Sequence, residues 1–206
     1  MQIFLLLSHS RLVNVAVNIL LAALWGVFVL NHVHAFNLSG NYAFLAFALS
    51  ETLQALFFLV RRTPQTVSVD PFDWLIAGGG TLAPLFFRPG GLVILSSGSV
   101  VVILAVVLQI WALAALNRSF ALVAARRTVK TSGPYRVVRH PMYASYLFLY
   151  GGYLLFNVSL VNIFLIVFAL CLLLLRLIQE EKPLVKASAY REYVLRTPWR
   201  LIPFVY

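Results

Sequence analysis

From Leu92 to Leu116 the chain runs without a single Asp, Glu, Lys or Arg. At a rise of about 1.5 Å per residue, about 20 apolar residues cross the hydrocarbon core of a bilayer. The run therefore predicts a membrane-spanning helix, and it has company. Six apolar segments are predicted, over residues 12–30, 42–60, 72–87, 92–116, 142–156 and 160–175. The third is interrupted by Gly78-Gly79-Gly80 and Pro84. The fifth lies near the lower limit of about 17 residues for a simple span. With 62% hydrophobic and 11% charged residues, against roughly 25% charged in an average soluble domain, the chain cannot hide its apolar surface in one core. The expected fold is all-α and integral to a membrane, one compact domain whose last two segments form a hairpin turning at Asn157. Residues 1–117 would supply four N-terminal helices facing lipid or substrate, and residues 118–206 a functional core.

A net charge of +10 could signal nucleic acid, but the cations lie between and after the apolar runs. That is a topology pattern, and a basic membrane face also attracts anionic head groups. Six crossings place 15 of the 16 Lys and Arg residues on one side, leaving only Arg88 on the other. The positive-inside rule makes the rich side cytoplasmic, with both termini there. Met1 to Leu7 is apolar but lacks a preceding positive charge, so no cleavable signal peptide is expected. Cys171 is the only cysteine, which excludes an internal disulfide.

The basic loop ends in Thr128 to Tyr143, TVKTSGPYRVVRHPMY. Gly133-Pro134 marks a turn, and Pro141 suits the first turn of the helix that follows. His140 then sits near that helix's N-terminus, where unpaired N–H groups favour anions. Further on, Arg176 and Glu180 are four residues apart and share a helical face. Glu180-Glu181 at the end of an apolar helix are costly unless paired or functional. No GxGxxG occurs, so a soluble dinucleotide-type domain is absent.

Together, the TSGPY-x3-RHPMY string, the distance to the paired glutamates and the later Tyr190-x2-Tyr193 resemble the isoprenylcysteine carboxyl methyltransferase family and its relatives, the membrane phospholipid methyltransferases. The resemblance covers about 118–206. It implies an S-adenosylmethionine pocket on the cytoplasmic side, built from the loop, the hairpin and the C-terminal tail. By matched position it implies that Arg127, Thr128, Val129, Lys130, Tyr135, His140, Pro141, Met142, Tyr143 and Glu180 bind cofactor and that Arg176 faces substrate. Ala124 stands where relatives can carry glutamine. The residue chemistry agrees: Glu180 suits an ammonium, His140 and nearby N–H groups a carboxylate, tyrosine faces a cation. The Arg176 fork suits a substrate carboxylate, which as a nucleophile needs no base; for an amine, Glu181 or His140 is the nearest proton acceptor. The expected activity is methyl transfer to a lipid-like acceptor, most simply an isoprenylcysteine-type carboxylate, alternatively a phospholipid amine or small thiol. A nicotinamide-dependent sterol-type membrane reductase, whose C-terminal layout is related, and a non-enzymatic scaffold are the rivals.

Elsewhere the plainer readings are preferred. His32 and His34 point to different faces and are expected to anchor the first helix at the interface rather than bind metal. Asn14 and Asn18 should join helices. Glu51 and Gln54 lie within the second segment, where a carboxylate is either functional or a neutral acid bonded to a neighbour. Trp25, Trp74, Trp111 and Trp199, mostly at or near segment ends, should serve as interfacial anchors or in helix packing rather than stack on a cofactor. The basic tail, Arg191 to Arg200, should face head groups or close over the cofactor.

Overall fold

The computed structural model describes residues 11–60, 70–116 and 131–206, with side chains from Ile19 to Leu56 in the first stretch. Helix α1 runs Arg11–Ser39 and α2 Tyr42–Val60. Next come α3, Pro71–Leu82, which tightens into a 3₁₀ turn at Ala83–Phe86, and α4, Gly98–Leu116. A second 3₁₀ turn, Gly133–Arg136, precedes α5, Pro141–Phe156. The hairpin closes with α6, Leu160–Leu184, and α7, Ser188–Arg196, follows. All regular elements among the described residues are helical. By length and composition, Ile19–Ser39, Gly98–Leu116 and Leu160–Leu184 are able to cross a membrane, and Tyr42–Leu56 is a shorter apolar helix.

The boundaries have local causes. Asp70 caps α3 by accepting from the Phe72 amide at 2.9 Å, with Pro71 in the first position. Ser159 caps α6 by accepting from Asn162 N at 3.1 Å. Both follow the preference for short oxygen-bearing side chains at helix starts. The fourth apolar segment does not become helical at Leu92. Leu92 exchanges backbone bonds with Val158, and the amides of Ile94 and Leu95 donate to Leu155 O. The stretch from 92 thus satisfies carbonyls at the end of α5 that the helix leaves unpaired, and α4 begins only at Gly98. The third segment is likewise divided, since Pro84 lacks the N–H that a continuing helix needs.

The outer surfaces of α4 and α6 expose Leu104, Val107, Phe164 and Val167, a belt that water would not tolerate over such an area. The inner faces meet around an aromatic cluster. Phe28, Phe44, Phe47, Phe87, Tyr153 and Phe156 are buried there, with ring centroids 4.9–6.3 Å apart between neighbours. Helices α4 and α5 pack closest: a Cβ on Gly98 would lie 2.6 Å from Gly152 O. Small residues let the two backbones approach, as membrane helix pairs often require.

His32 corrects the interfacial reading. It is fully buried in this cluster, its Nδ1 donating to Phe28 O at 2.8 Å. That leaves Nε2 to accept from the Tyr153 hydroxyl at 3.1 Å, so the polar ring is satisfied inside the bundle. His34 faces outward. Glu51 and Gln54 are both buried, and Gln54 donates to Glu51 at 3.1 Å. The side chains of Asn14 and Asn18 lie outside the described residues.

Two ends of the bundle can be told apart. Asn41 with Ser99, and Arg88 with Asn157 and Asn162, gather at one. The start of α5 and the end of α6 gather at the other, where the tail folds over them.

Candidate functional site

The second end is organised around one carboxylate. Glu181 Oε1 accepts from His140 Nε2, Arg139 Nη1 and the Tyr190 hydroxyl, each at 3.0 Å. Its Oε2 accepts from Arg200 Nε at 2.8 Å. Glu181, Arg139 and His140 are all more than nine-tenths buried. A buried acid surrounded by cations and donors fits the rule that buried charges persist only when paired and hydrogen-bonded.

Backbone pairing reinforces the convergence. The amides of Arg139 and His140 donate to the carbonyls of Trp199 and Arg200 at 2.8 and 2.9 Å. The Tyr193 hydroxyl donates to Tyr135 O at 2.6 Å, tying α7 to the Gly133–Arg136 turn. Gly133 makes that turn possible at φ +61°, a left-handed conformation open to glycine. Burial raises Tyr193 to about 12. Burial and the neighbouring Glu181 charge raise Tyr190 as well. Both phenols therefore stay neutral donors at ordinary pH. The Glu181 hydrogen bond strengthens the hold of Arg200 on its proton.

The other acid of the pair stands apart from this hub. Arg176 Nε lies 3.4 Å from Glu180 Oε1, one helical turn away, with both side chains about 15% exposed. The Arg176 guanidinium also sits over the Tyr143 ring, 5.7 Å from its centroid. Tyr143 in turn neighbours His140, with centroids 5.6 Å apart. Arg176 and Glu180 thus lie next to the Glu181 hub through Tyr143 and His140.

Of the residues singled out by sequence, Tyr135, His140, Pro141, Met142, Tyr143, Arg176, Glu180 and Glu181 gather at this end, and all but Arg176 and Glu180 are buried. Arg127, Thr128, Val129 and Lys130 lie outside the described residues, as does Ala124. Sequence reasoning read Arg139 only as part of the basic loop, and Arg200 only as part of a tail expected to face head groups or close over the cofactor. Arg139 carried a usable signal, since a cation beside His140 matches an acid pair downstream. Arg200 carried none: it looked like one more basic residue of the tail. The tail's resting place, against residues 139–140, joins stretches some sixty positions apart.

The residues present fit a ligand bearing ammonium, carboxylate and sulfonium groups. Glu180 offers a carboxylate at the site's edge. α5 begins at Pro141, beside His140, and brings the positive end of its helix dipole to the same place. The Tyr143 face already receives one cation, as aromatic faces do.

Residues 93–192 match the family model for phospholipid methyltransferase. No curated protein gives a significant match. The matched stretch holds every described residue of the hub except Arg200, together with Arg176, Glu180 and Tyr143.

Proposed function

We propose that this chain, whose residues 93–192 match the family model for phospholipid methyltransferase, uses S-adenosylmethionine to methylate a lipid-like acceptor. The carrying observation is the convergence of two distant stretches, Tyr135–Tyr143 and Arg176–Glu181, on one end of the helical bundle. Residues 118–206 form the methyltransferase core in this reading, and the helices before it face lipid and acceptor. Six crossings, with both termini and the site cytoplasmic, agree with the charge count.

When bound, the cofactor supplies an electrophilic methyl group on a sulfonium. Glu180 would hold the cofactor ammonium, and the start of α5 its carboxylate. Glu181 acts as a positioning residue: with both oxygens engaged by four donors, it fixes His140 and Arg139 and is a poor proton acceptor itself. Arg176, beside Glu180 and over the Tyr143 ring, would orient an acceptor toward the methyl group that the bound cofactor would supply. Catalysis then rests on alignment and exclusion of water.

Two acceptors are supported by different observations. Arg176, little exposed and bordering the site, favours a carboxylate of isoprenylcysteine type, which becomes an ester with no proton to remove. The family match favours a phospholipid amine, which must lose a proton. For that step His140 is placed as in other imidazole bases oriented by a carboxylate: Nε2 is held by Glu181, leaving Nδ1 to accept.

The test incubates the purified protein with methyl-labelled S-adenosylmethionine and total lipid extract. Mild alkali releases label as methanol from an ester but leaves an N-methyl group attached. Incorporation into lipid is expected, and its partition decides the acceptor. Absence of labelled lipid, with no cofactor binding in calorimetry, refutes the proposal.

A further inference from the structure

The charge count left one basic residue, Arg88, on the side opposite all the others, and the methyl-transfer site makes no use of it. Arg88 lies at the other end of the bundle, on the rim of a groove of about 760 Å³ between α1, the start of α2 and the 85–93 stretch. That volume lies within the range of about 300–1,000 Å³ typical of small-molecule sites.

The position of Arg88 is fixed by its backbone. Its amide donates to Asn162 Oδ1 at 3.0 Å, and its carbonyl accepts from Asn157 Nδ2 at 2.7 Å and Asn162 Nδ2 at 2.8 Å. Both asparagines are essentially inaccessible to solvent. Three residues on, Gly91 abuts the same turn, where a Cβ would come within 2.5 Å of Val158 O. The Arg88 side chain, in contrast, is exposed, and its guanidinium has no ion-pair partner among the described residues. A rigidly held backbone thus presents a free planar cation at the groove's mouth.

The walls are of the opposite character. Val27, Leu38, Phe86 and Val93 line the groove yet remain 48–76% exposed, so it opens sideways along the apolar surface of the bundle. Asn31 and His34, one turn apart on α1, add hydrogen-bonding groups to the same groove as Arg88.

We propose that this groove is a binding site for an anionic phospholipid, its phosphate on Arg88 and one acyl chain along the apolar walls. Guanidinium matches phosphate in charge and in fork geometry, and an apolar channel open to the side suits a chain arriving from the bilayer. The site is separate from methyl transfer and does not rest on that reading. An anionic lipid held there also gives a reason for a lone arginine opposite the topology-setting charges.

Native mass spectrometry of the full chain released from detergent, with equal amounts of phosphatidylglycerol and phosphatidylcholine, tests it. The wild-type protein should retain phosphatidylglycerol with at least about tenfold preference, the scale of one charge-assisted hydrogen bond. Arg88→Gln should bring the two lipids to parity, Arg88→Lys should keep part of the preference, and Val27→Trp should reduce retention of both. Inorganic phosphate in excess should not displace the lipid, because the chain contributes binding that the ion lacks. Melting temperatures near wild type exclude misfolding as the cause. An Arg88→Gln protein that still prefers phosphatidylglycerol, a Val27→Trp protein that retains lipid unchanged, or displacement by phosphate overturns the proposal.

Discussion

Replacing Glu181 by glutamine removes one negative charge from the centre of the hub while keeping its shape. Losing one partner of a buried ion pair costs about 3–5 kcal/mol, because the other charge stays buried and uncompensated. Here the stranded cation is Arg139, 8% exposed. Arg200, with 37% of its side chain exposed, can turn to solvent and adds little. The amide retains one acceptor oxygen, which lowers the cost to about 2–4 kcal/mol. For a chain of this size, each kcal/mol corresponds to about 2–4 °C of melting temperature, so a fall of roughly 5–15 °C is expected in a fluorescence melt of detergent-solubilised protein. Glu180→Gln is the built-in comparison. Its pair with Arg176 is longer, at 3.4 Å, and more accessible, so the expected loss is about 0.3–1 kcal/mol. In the proposed function Glu180 contacts the cofactor, so Glu180→Gln should weaken S-adenosylmethionine binding in calorimetry with a nearly unchanged melt. Glu181→Gln should impair both. A Glu181→Gln protein melting like wild type, or a Glu180→Gln protein melting lower than it, refutes the assignment of Glu181 as the structural centre.

Two further outcomes test the bundle itself. Tyr153→Phe removes the donor to His32 Nε2 and leaves a buried nitrogen unsatisfied, at a cost of about 1–3 kcal/mol. The melt should fall while methyl transfer by the surviving folded protein is unchanged. Gly98→Ala puts a methyl group 2.6 Å from Gly152 O, overpacking that typically costs about 1–3 kcal/mol. Ser99→Ala, one residue on, loses only the part-buried bond from Asn41 and should melt closer to wild type. Equal melts for the two variants would count against the close approach.

The helical, membrane-embedded character was legible because it rests on composition and run length, which need no knowledge of contacts. Finer boundaries were less legible where tertiary bonding overrode local preference. Leu92 to Leu95 are as apolar as the helix that follows, yet their amides serve Leu155 and Val158. His32 shows the same limit: two histidines near the end of an apolar run read as interfacial, and only the fold reveals that Tyr153 stands ready to satisfy one of them. At the site, Arg176 with Glu180 was readable because helical periodicity brings i and i+4 together. The meeting of Glu181 with Arg139 and Arg200 depends on two chain reversals, and no local pattern encodes those.

The near-touching backbones of α4 and α5 carry a consequence for traffic. Where Gly98 meets Gly152 no fatty chain has room to slide between these two rods, so that seam is a shut door at the end remote from the Glu181 hub. A hydrophobic tail bound for the Glu181 end must come in past some other pair of helices, or along this seam only beyond the glycine contact.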